Sequence, residues 1–307
     1  MTELQRIRML EPPTGCVDMV LDTDAFNEVD DQFAIAYALR STASVNLCAL
    51  YAAPFYNAHS TSPADGMERS YHEIHKVLAL AERTDLADQV YRGCDAYLPD
   101  EKTPLDSPAV RDLVERARRY SPEKPLYVAA VGCITDVASA ILTAPDIIEN
   151  IVVVWLGGHA WHFEHTKEFN MKQDIAAARV VFGCGVPLVQ LPCYGVWNPL
   201  RTNKPELMHW FADKNPLSDY LARNMVEEAE RWSKLPTWGR VIWDVTAVAW
   251  IADREGMLTS VLRHAPIPEY DGYYSEDASR HFMRFVSGIN RDALMWDLVK
   301  KLTGAES

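Results

Sequence analysis

Short, mostly apolar runs alternate with segments of helical spacing along the first two thirds of the chain. The runs that predict strands are residues 17–22, 45–53, 126–131, 151–156 and 186–190. They do not alternate apolar and polar positions, which is typical of strands buried on both faces of a sheet. Helical spacing of apolar residues predicts helices over 30–40, 65–81, 135–142 and 175–182. This order predicts an α/β fold with a mostly parallel central sheet flanked by helices.

The last hundred residues have a different pattern, in which helices dominate. Helical segments are predicted near 204–232, 242–252 and 290–303. No linker separates this part from the preceding segments, and we find no internal repeat. We therefore expect a single domain over residues 1–307 with a helical C-terminal portion.

Composition and charge narrow the choice of partners. The 307 residues include 48% hydrophobic ones, enough for a sizeable core, and carry a formal net charge of −13. This negative charge repels phosphate groups, so nucleic-acid polymers and anionic membranes are unfavourable partners. No apolar stretch approaches the length of about 18 residues that a membrane span needs. The six cysteines lack disulfide-like or zinc-site spacing, which indicates buried thiols in the cytoplasm.

Candidate chemistry begins where the first predicted strand ends. Five carboxylates, Asp22, Asp24, Glu28, Asp30 and Asp31, lie within ten residues. Like charges held this close at the mouth of a sheet repel each other, and a bound hard cation such as Ca²⁺ would remove the conflict. A solvated acidic loop ahead of a helix is the simpler alternative. A dehalogenase-like, magnesium-dependent phosphatase is another, because those enzymes also begin with a strand and Asp-x-Asp.

Four further motifs follow the Asp cluster along the chain. They are the turn at 132–136, Leu-Gly-Gly at 156–158, Glu-Phe-Asn at 168–170 with Asp174, and Trp-Asp at 243–244. Together with the Asp cluster, this ordered set resembles the nucleoside hydrolase family. That family opens with Asp-x-Asp-x-x-x-Asp-Asp, which matches Asp22, Asp24, Asp30 and Asp31 except that the intervening loop has five residues instead of three. The resemblance spans about residues 17–250.

The resemblance implies hydrolysis of the bond between a ribose and a base, with Ca²⁺ as cofactor. It implies that Asp24, Asp31 and Asp244 are metal ligands, completed by a backbone carbonyl at Thr135 or Ile134. Asp24 would also be the catalytic base that activates a water on the cation. Taken alone, Asp244 could equally be a helix N-cap residue.

The same resemblance assigns the substrate contacts, which are Asp30, Asn57, His162, Glu168, Asn170 and Trp243. By resemblance, Asp30, Asn57, Glu168 and Asn170 would hold the ribose. His162 stands where the family often has a ribose-binding Asn. Trp243 stands where inosine- and uridine-preferring members have His, and Trp there is typical of purine-preferring members, so a purine ribonucleoside is expected. The partner is thus a small-molecule nucleoside, and the family implies a homodimer or homotetramer.

Three questions stay open at the level of the sequence. The longer loop adds Asn27 and Glu28 beside the metal ligands, with no role assigned. Any of His59, His159, His162 and His165 could donate a proton to the departing base. A non-catalytic nucleoside- or ribose-binding protein is a third alternative, although every expected carboxylate is present.

Overall fold

The computed structural model describes residues 1–196, 198–253 and 255–305. Its strands are β1 (Val17–Thr23), β2 (Val45–Ala52), β3 (Val90–Arg92), β4 (Leu126–Ala130), β5 (Ile151–Leu156), β6 (Leu188–Leu191), β7 (Arg201–Thr202), β8 (Arg240–Val241), β9 (Leu258–His264), β10 (Ile267–Pro268), β11 (Tyr274–Ser275) and β12 (Phe282–Ile289). Its helices are α1 (Glu3–Met9), α2 (Asp31–Arg40), α3 (Pro63–Leu80), α4 (Pro108–Ala117), α5 (Thr135–Thr143), α6 (Phe169–Gln173), α7 (Ile175–Gly183), α8 (Lys204–Trp210), α9 (Pro216–Trp232), α10 (Val245–Ala252) and α11 (Arg291–Thr303).

The central sheet has the strand order β3-β2-β1-β4-β5-β6-β12-β9. Each neighbouring pair is parallel except β12 and β9, which are antiparallel. Every residue of β4 and β5 is buried, as expected for strands covered on both faces. The prediction of an α/β domain with a mostly parallel sheet is therefore confirmed.

Helices pack around this sheet in two groups. One group contains α4, α5 and α7, and in the other α2 packs against α10 and α11. The pairing of β1 with β2 and β4 continues just beyond the strands, because the N–H groups of Ala53 and Val131 donate to the carbonyls of Thr23 and Asp22. The indole N–H of Trp155 donates to the Gly132 carbonyl at 3.0 Å and fixes the turn after β4. The strand ends that carry the candidate chemistry are thus held rigidly side by side.

The C-terminal portion is only partly helical. Helices α8 to α11 lie where the sequence predicts them, but β9 and β12 add an edge to the central sheet that the sequence pattern did not indicate. The residues of β9 are exposed or half-buried, and Arg284 interrupts the apolar run of β12. An edge strand with a solvated face lacks the continuous apolar run by which buried strands are recognised.

None of the helices within the described ranges combines the length and the hydropathy that crossing a membrane requires. All six cysteines are free thiols.

Candidate active site

Carboxylates from two helix starts meet at the carboxyl edge of the sheet. Asp30 and Asp244 occupy the N-cap positions of α2 and α10, yet neither side chain caps its own helix. Instead, carboxylate oxygens of Asp30, Asp31 and Asp244 lie within 4.8 Å of one another, and all three residues are buried. The alternative interpretation of Asp244 as a helix cap therefore does not describe what its side chain does.

Asp24 lies beside this cluster at the end of β1. Its side chain is fully buried, and neither carboxylate oxygen has a hydrogen-bond partner among the described residues. A Cβ built on Gly132 would lie 3.2 Å from the Asp24 carboxyl carbon, so the turn after β4 closes against it. Buried polar atoms without partners are costly in a folded protein unless a ligand or an ion satisfies them.

Burial and mutual repulsion raise the pKa values of these carboxyls. Burial raises the pKa of Asp24 well above its usual value, and the charges of Asp31, Glu28 and Asp30 raise it further. Burial likewise raises the pKa of Asp30 to about 8 and that of Asp31 to about 7. The pKa of Asp244 is also well above its usual value, mainly through burial. These carboxyls cannot all ionise near neutral pH without a counter-charge, which argues against a merely solvated acidic loop.

Hydrogen bonds orient two of these carboxylates. The Thr23 hydroxyl donates to Asp31 Oδ1 at 2.5 Å. The backbone N–H groups of Trp243 and Asp244 donate to Asp30 Oδ2 at 2.9 and 3.3 Å. The amides at the start of α10 thus dock on Asp30, which brings Asp244 to the cluster from more than 200 residues away along the chain.

Asp22 lies deeper in the sheet than Asp24. Both of its carboxylate oxygens are buried without a hydrogen-bond partner among the described residues. Its pKa is raised well above the usual value by burial and then by the nearby Asp136. One oxygen of Asp136 accepts the Cys94 N–H at 2.7 Å. Asp22 therefore belongs to the buried acidic interior behind the cluster.

Thr135, the predicted backbone ligand, begins α5. Its hydroxyl donates to Asp174 Oδ2 at 2.6 Å. Asp174 also accepts the N–H groups of Leu98 and Ala177, so it locks this end of α5 to its neighbours. The alternative ligand, the Ile134 carbonyl, accepts the Ala138 N–H at 3.0 Å. The turn is thus firmly placed next to Asp24.

Glu168 and Asn170 form the floor of a cavity in front of the carboxylates. Glu168 accepts the backbone N–H groups of Gly158, Asn170 and Met171. The Asn170 side-chain amide donates to the carbonyls of Val131 and Leu156. That donation leaves the Asn170 side-chain oxygen as the group able to accept a hydrogen bond from a ligand.

The cavity has a volume of about 200 Å³ and is lined by aromatic side chains, here called the aromatic wall, as well as by this polar floor. The residues of this aromatic wall that line the cavity are His159, Phe169, Tyr194 and Trp243. The Tyr194 ring lies edge-on to Trp243, with centroids 6.0 Å apart. The Tyr194 backbone N–H donates to His159 Nδ1 at 3.3 Å, so the hydrogen of the neutral imidazole is on Nε2. Burial and the neighbouring His165 lower the pKa of His159 to about 4, which keeps the ring neutral.

Most of the predicted site residues meet at this cavity. Those that line it are Asp24, Asp30, Asp31, Glu168, Asn170, Trp243 and Asp244. His162 does not, because its side chain is exposed and its ring lies against Gly195 on the outside of the 159–165 segment. Asn57 does not line the cavity either, and its side-chain amide donates to Asn27 Oδ1 at 2.5 Å.

Other residues of the cavity had no assigned place in the sequence prediction, namely Asn27, Glu28, Lys167, Cys193 and Tyr194. His159 was only one of four candidate histidines. The available signal was position: His159 follows the end of β5, and Tyr194 follows the end of β6. The Cys193 N–H donates to the Gly158 carbonyl and the Ala160 N–H to the Tyr194 carbonyl, which continues the strand pairing into the site.

Comparison with known proteins agrees with this geometry. A family model described as "Inosine-uridine preferring nucleoside hydrolase" matches residues 19–273. The pyrimidine-specific ribonucleoside hydrolase RihA of Escherichia coli (strain K12) is 26% identical over 284 residues, which cover 84% of this chain and 86% of that protein.

Solved structures share the fold at lower identity. A plant nucleoside hydrolase, the PpNRh1 enzyme, superposes with a TM-score of 0.77 at 18% identity and covers 94% of this chain and 99% of that chain. The purine-preferring ribonucleoside hydrolase from Gardnerella vaginalis has a TM-score of 0.72 at 19% identity, covering 94% and 98%. The phosphatase alternative is therefore rejected, and the chain belongs to the inosine-uridine preferring nucleoside hydrolase family, as a hydrolase of N-glycosyl bonds in ribonucleosides.

Proposed function

We propose that this enzyme hydrolyses the N-glycosidic bond of a purine ribonucleoside in a calcium-dependent reaction, with Asp24 as general base. The observation that carries the proposal is the buried group of Asp24, Asp30, Asp31 and Asp244, whose raised pKa values demand a counter-charge, at the edge of a cavity with an aromatic wall.

The residues fit a bound calcium ion. Calcium prefers oxygen ligands, and Asp24, Asp31 and Asp244 offer only carboxylate oxygens, to which the turn at Thr135 would add a backbone carbonyl. Both oxygens of Asp24 are without another partner among the described residues. When bound, calcium neutralises the carboxylates and lowers the pKa of a water that it holds.

Asp24 is the residue that we propose to take the proton from the attacking water. Its carboxylate makes no hydrogen bond within the described part of the chain, so its lone pairs are free to accept one. The bond from C1′ of the ribose to the base nitrogen breaks and its electron pair leaves with the base, so the sugar passes through an oxocarbenium-like state that nearby carboxylates stabilise. The water oxygen bonds to C1′ as Asp24 takes a proton from that water, and the departing base takes up a proton from solvent.

The ribose is held by Asp30, Glu168 and Asn170 in this proposal. The carboxylate of Asp30 and the side-chain oxygen of Asn170 are hydrogen-bond acceptors for sugar hydroxyls. Glu168 lines the same floor, and its three backbone N–H contacts fix its position. Hydrogen bonds from the protein fix these polar groups, so they place the sugar precisely relative to the attacking water.

The base stacks on the aromatic wall, where Tyr194 and Trp243 offer ring faces and His159 Nε2 offers a hydrogen-bond donor. A purine presents a larger stacking surface than a pyrimidine, and stacking is worth about 1–3 kcal/mol per base. Because the RihA relatives are named as pyrimidine-specific, comparing kcat/KM for inosine and uridine decides between the two classes. A preference for uridine would refute the purine part of the proposal alone.

The proposal includes the cellular location and the oligomeric state of the enzyme. Six free thiols fit the reducing cytoplasm. By the family resemblance we propose a homodimer or homotetramer, which light scattering of the purified protein measures directly.

The experiment that tests the calcium part is removal and return of the metal. The purified enzyme is analysed for bound metals, treated with a chelator, and assayed for free ribose before and after addition of Ca²⁺. We expect calcium to co-purify, activity to vanish on chelation, and Ca²⁺ to restore it. Full activity in metal-free enzyme would contradict the calcium requirement without touching the family assignment.

A further inference from the structure

A chain of hydrogen bonds fixes how Asn27 is oriented in the longer loop. The backbone N–H of His59 can only donate, and it donates to Asn57 Oδ1 at 2.8 Å. The other end of that amide, Asn57 Nδ2, therefore donates to Asn27 Oδ1 at 2.5 Å. It follows that the Nδ2 group of Asn27 is the end that points away from Asn57.

The Asn27 amide lies at the cavity and has an unused donor. The residue is only 5% exposed and lines the cavity together with Asp24 and Asp30. Within the described ranges, its Nδ2 group has no hydrogen-bond partner. Its backbone is fixed on both sides, because its N–H donates to the Asp24 carbonyl at 2.7 Å and its carbonyl accepts from His59 Nδ1 at 2.9 Å. A donor without a partner in the described protein, on a residue whose backbone is held rigidly at the cavity, is suited to an acceptor on a ligand.

The groups around Asn27 indicate which kind of ligand group accepts a hydrogen bond from its Nδ2. Its neighbours Asp24, Glu28 and Asp30 are all carboxylates, so this side of the cavity consists of acceptors with one amide donor among them. A hydroxyl group can donate to a carboxylate and accept from an amide at once, whereas a base acceptor can only accept. A sugar hydroxyl is thus the ligand group that matches this edge.

We propose that Asn27 donates to a ribose hydroxyl, and that Asn57 positions Asn27 instead of contacting the sugar itself. The inference rests on the proposed function and assigns a role to the two-residue extension of the first loop. His59 supports the same arrangement, since its Nδ1 must carry the hydrogen to donate to the Asn27 carbonyl while its Nε2 lies 3.5 Å from Glu228.

The test combines variants of both asparagines with deoxynucleosides. The variants are N27A, N27D, N57A and the N27A/N57A double variant, assayed for kcat/KM on the ribonucleoside that the wild-type enzyme cleaves best and on its 2′-, 3′- and 5′-deoxy forms. N27D is informative because it keeps the acceptor for Asn57 and removes the donor. N224A is the matched control, since Asn224 lies on α9 outside the cavity.

We expect N27A and N27D each to lower kcat/KM about tenfold or more, as loss of one hydrogen bond to substrate predicts, and N224A to leave it unchanged. For the one deoxynucleoside that lacks the partner hydroxyl, N27A and wild type should be equal. N57A should lower kcat/KM less than N27A, and the double variant should be no worse than N27A alone. Melting temperatures and calcium content of all variants are measured to confirm that they fold and bind metal.

Two results would overturn the inference. If the N27A loss persists with all three deoxynucleosides, Asn27 does not hold a ribose hydroxyl. If the N57A and N27A losses multiply in the double variant, Asn57 contacts the substrate independently. Failure of the proposed function has a different signature, because wild-type enzyme would then release no ribose from any ribonucleoside.

Discussion

Replacing Asp24 by Asn separates the catalytic role of this carboxylate from its effect on stability. Asn has almost the same shape, so D24N removes a charge and a proton acceptor while leaving the packing of β1 intact. Because no described residue donates a hydrogen bond to the Asp24 side chain, the substitution breaks no side-chain hydrogen bond of the fold. D24N should therefore lower catalytic activity and raise the stability of the metal-free protein.

The magnitudes follow from the surroundings of the side chain. Loss of a general base lowers kcat by about 10²–10⁴-fold, and loss of a metal ligand adds to this, so we expect at least about a 10³-fold decrease. In the metal-free protein, D24N removes a carboxyl whose ionised form is disfavoured by burial and by the charges of Asp31, Glu28 and Asp30. Its amide can donate to the remaining carboxylates, so we expect a gain of about 1 kcal/mol, which raises Tm by about 2–4 °C.

The assay measures ribose release with Ca²⁺ and thermal unfolding in chelator, for wild type, D24N and a matched control, D174N. Asp174 is also buried, but it accepts hydrogen bonds from Thr135, Leu98 and Ala177. Asn at that position turns an amide N–H₂ toward donors and loses at least one bond, which costs about 1–3 kcal/mol. D174N should therefore lower Tm, in contrast to D24N.

The reasoning is refuted if D24N keeps a tenth or more of the wild-type kcat. It is also refuted if metal-free D24N melts below metal-free wild type, because Asp24 would then be stabilised by contacts within the protein.

Three further predictions concern the same site. The raised pKa values of Asp30 and Asp31 mean that the folded state binds protons more tightly than the unfolded chain. The Tm of the chelated protein should therefore fall as pH rises from about 5 to 8, whereas Ca²⁺ at about 100 times its Kd adds about 2.7 kcal/mol of stability. Curves of Tm against pH that stay parallel with and without Ca²⁺ would contradict this prediction. W243A should lower kcat/KM for purine nucleosides at least about tenfold, since it removes a stacking face, and W243F should recover most of it; equal loss in both variants would argue against stacking. G132A places a methyl group 3.2 Å from the Asp24 carboxyl carbon. Calcium titrations should therefore show weaker binding than in wild type. An unchanged calcium affinity would indicate that the turn does not support the metal.

The sequence was sufficient for the elements that are buried on both faces. The apolar runs that became β1, β2, β4, β5 and β6 have no competing periodicity, so their type and order followed directly. It was insufficient for β9, an edge strand whose residues are exposed or half-buried, and for β12, in which Arg284 interrupts the apolar run. The short strand β3 was missed for a similar reason, since only one of its three residues is buried.

Some residues of the site could likewise be predicted from the sequence, and others could not. The meeting of Asp24, Asp31 and Asp244 at one cavity could be predicted because they belong to motifs in a fixed order. The contacts of Asp30 with the start of α10, which bring Asp244 there, have no sequence signal. Tyr194 could not be predicted, because its place depends on β6 lying next to β5 and on backbone pairing beyond the strand ends.

The extended first loop caused the difference at Asn57. The prediction carried this residue over from the family pattern, in which the loop is two residues shorter. In the structure, Asn27 from the longer loop stands between Asn57 and the cavity.

The most direct test of the central claim is a mass balance of the products. Calcium-loaded enzyme is incubated in phosphate-free buffer with inosine, guanosine, adenosine, uridine or cytidine, and chromatography quantifies free base and free ribose over time. We expect base and ribose in equal amounts from at least one purine nucleoside, at a rate that the D24N variant lowers at least about 10³-fold. Tight nucleoside binding by calorimetry without release of either product would contradict it.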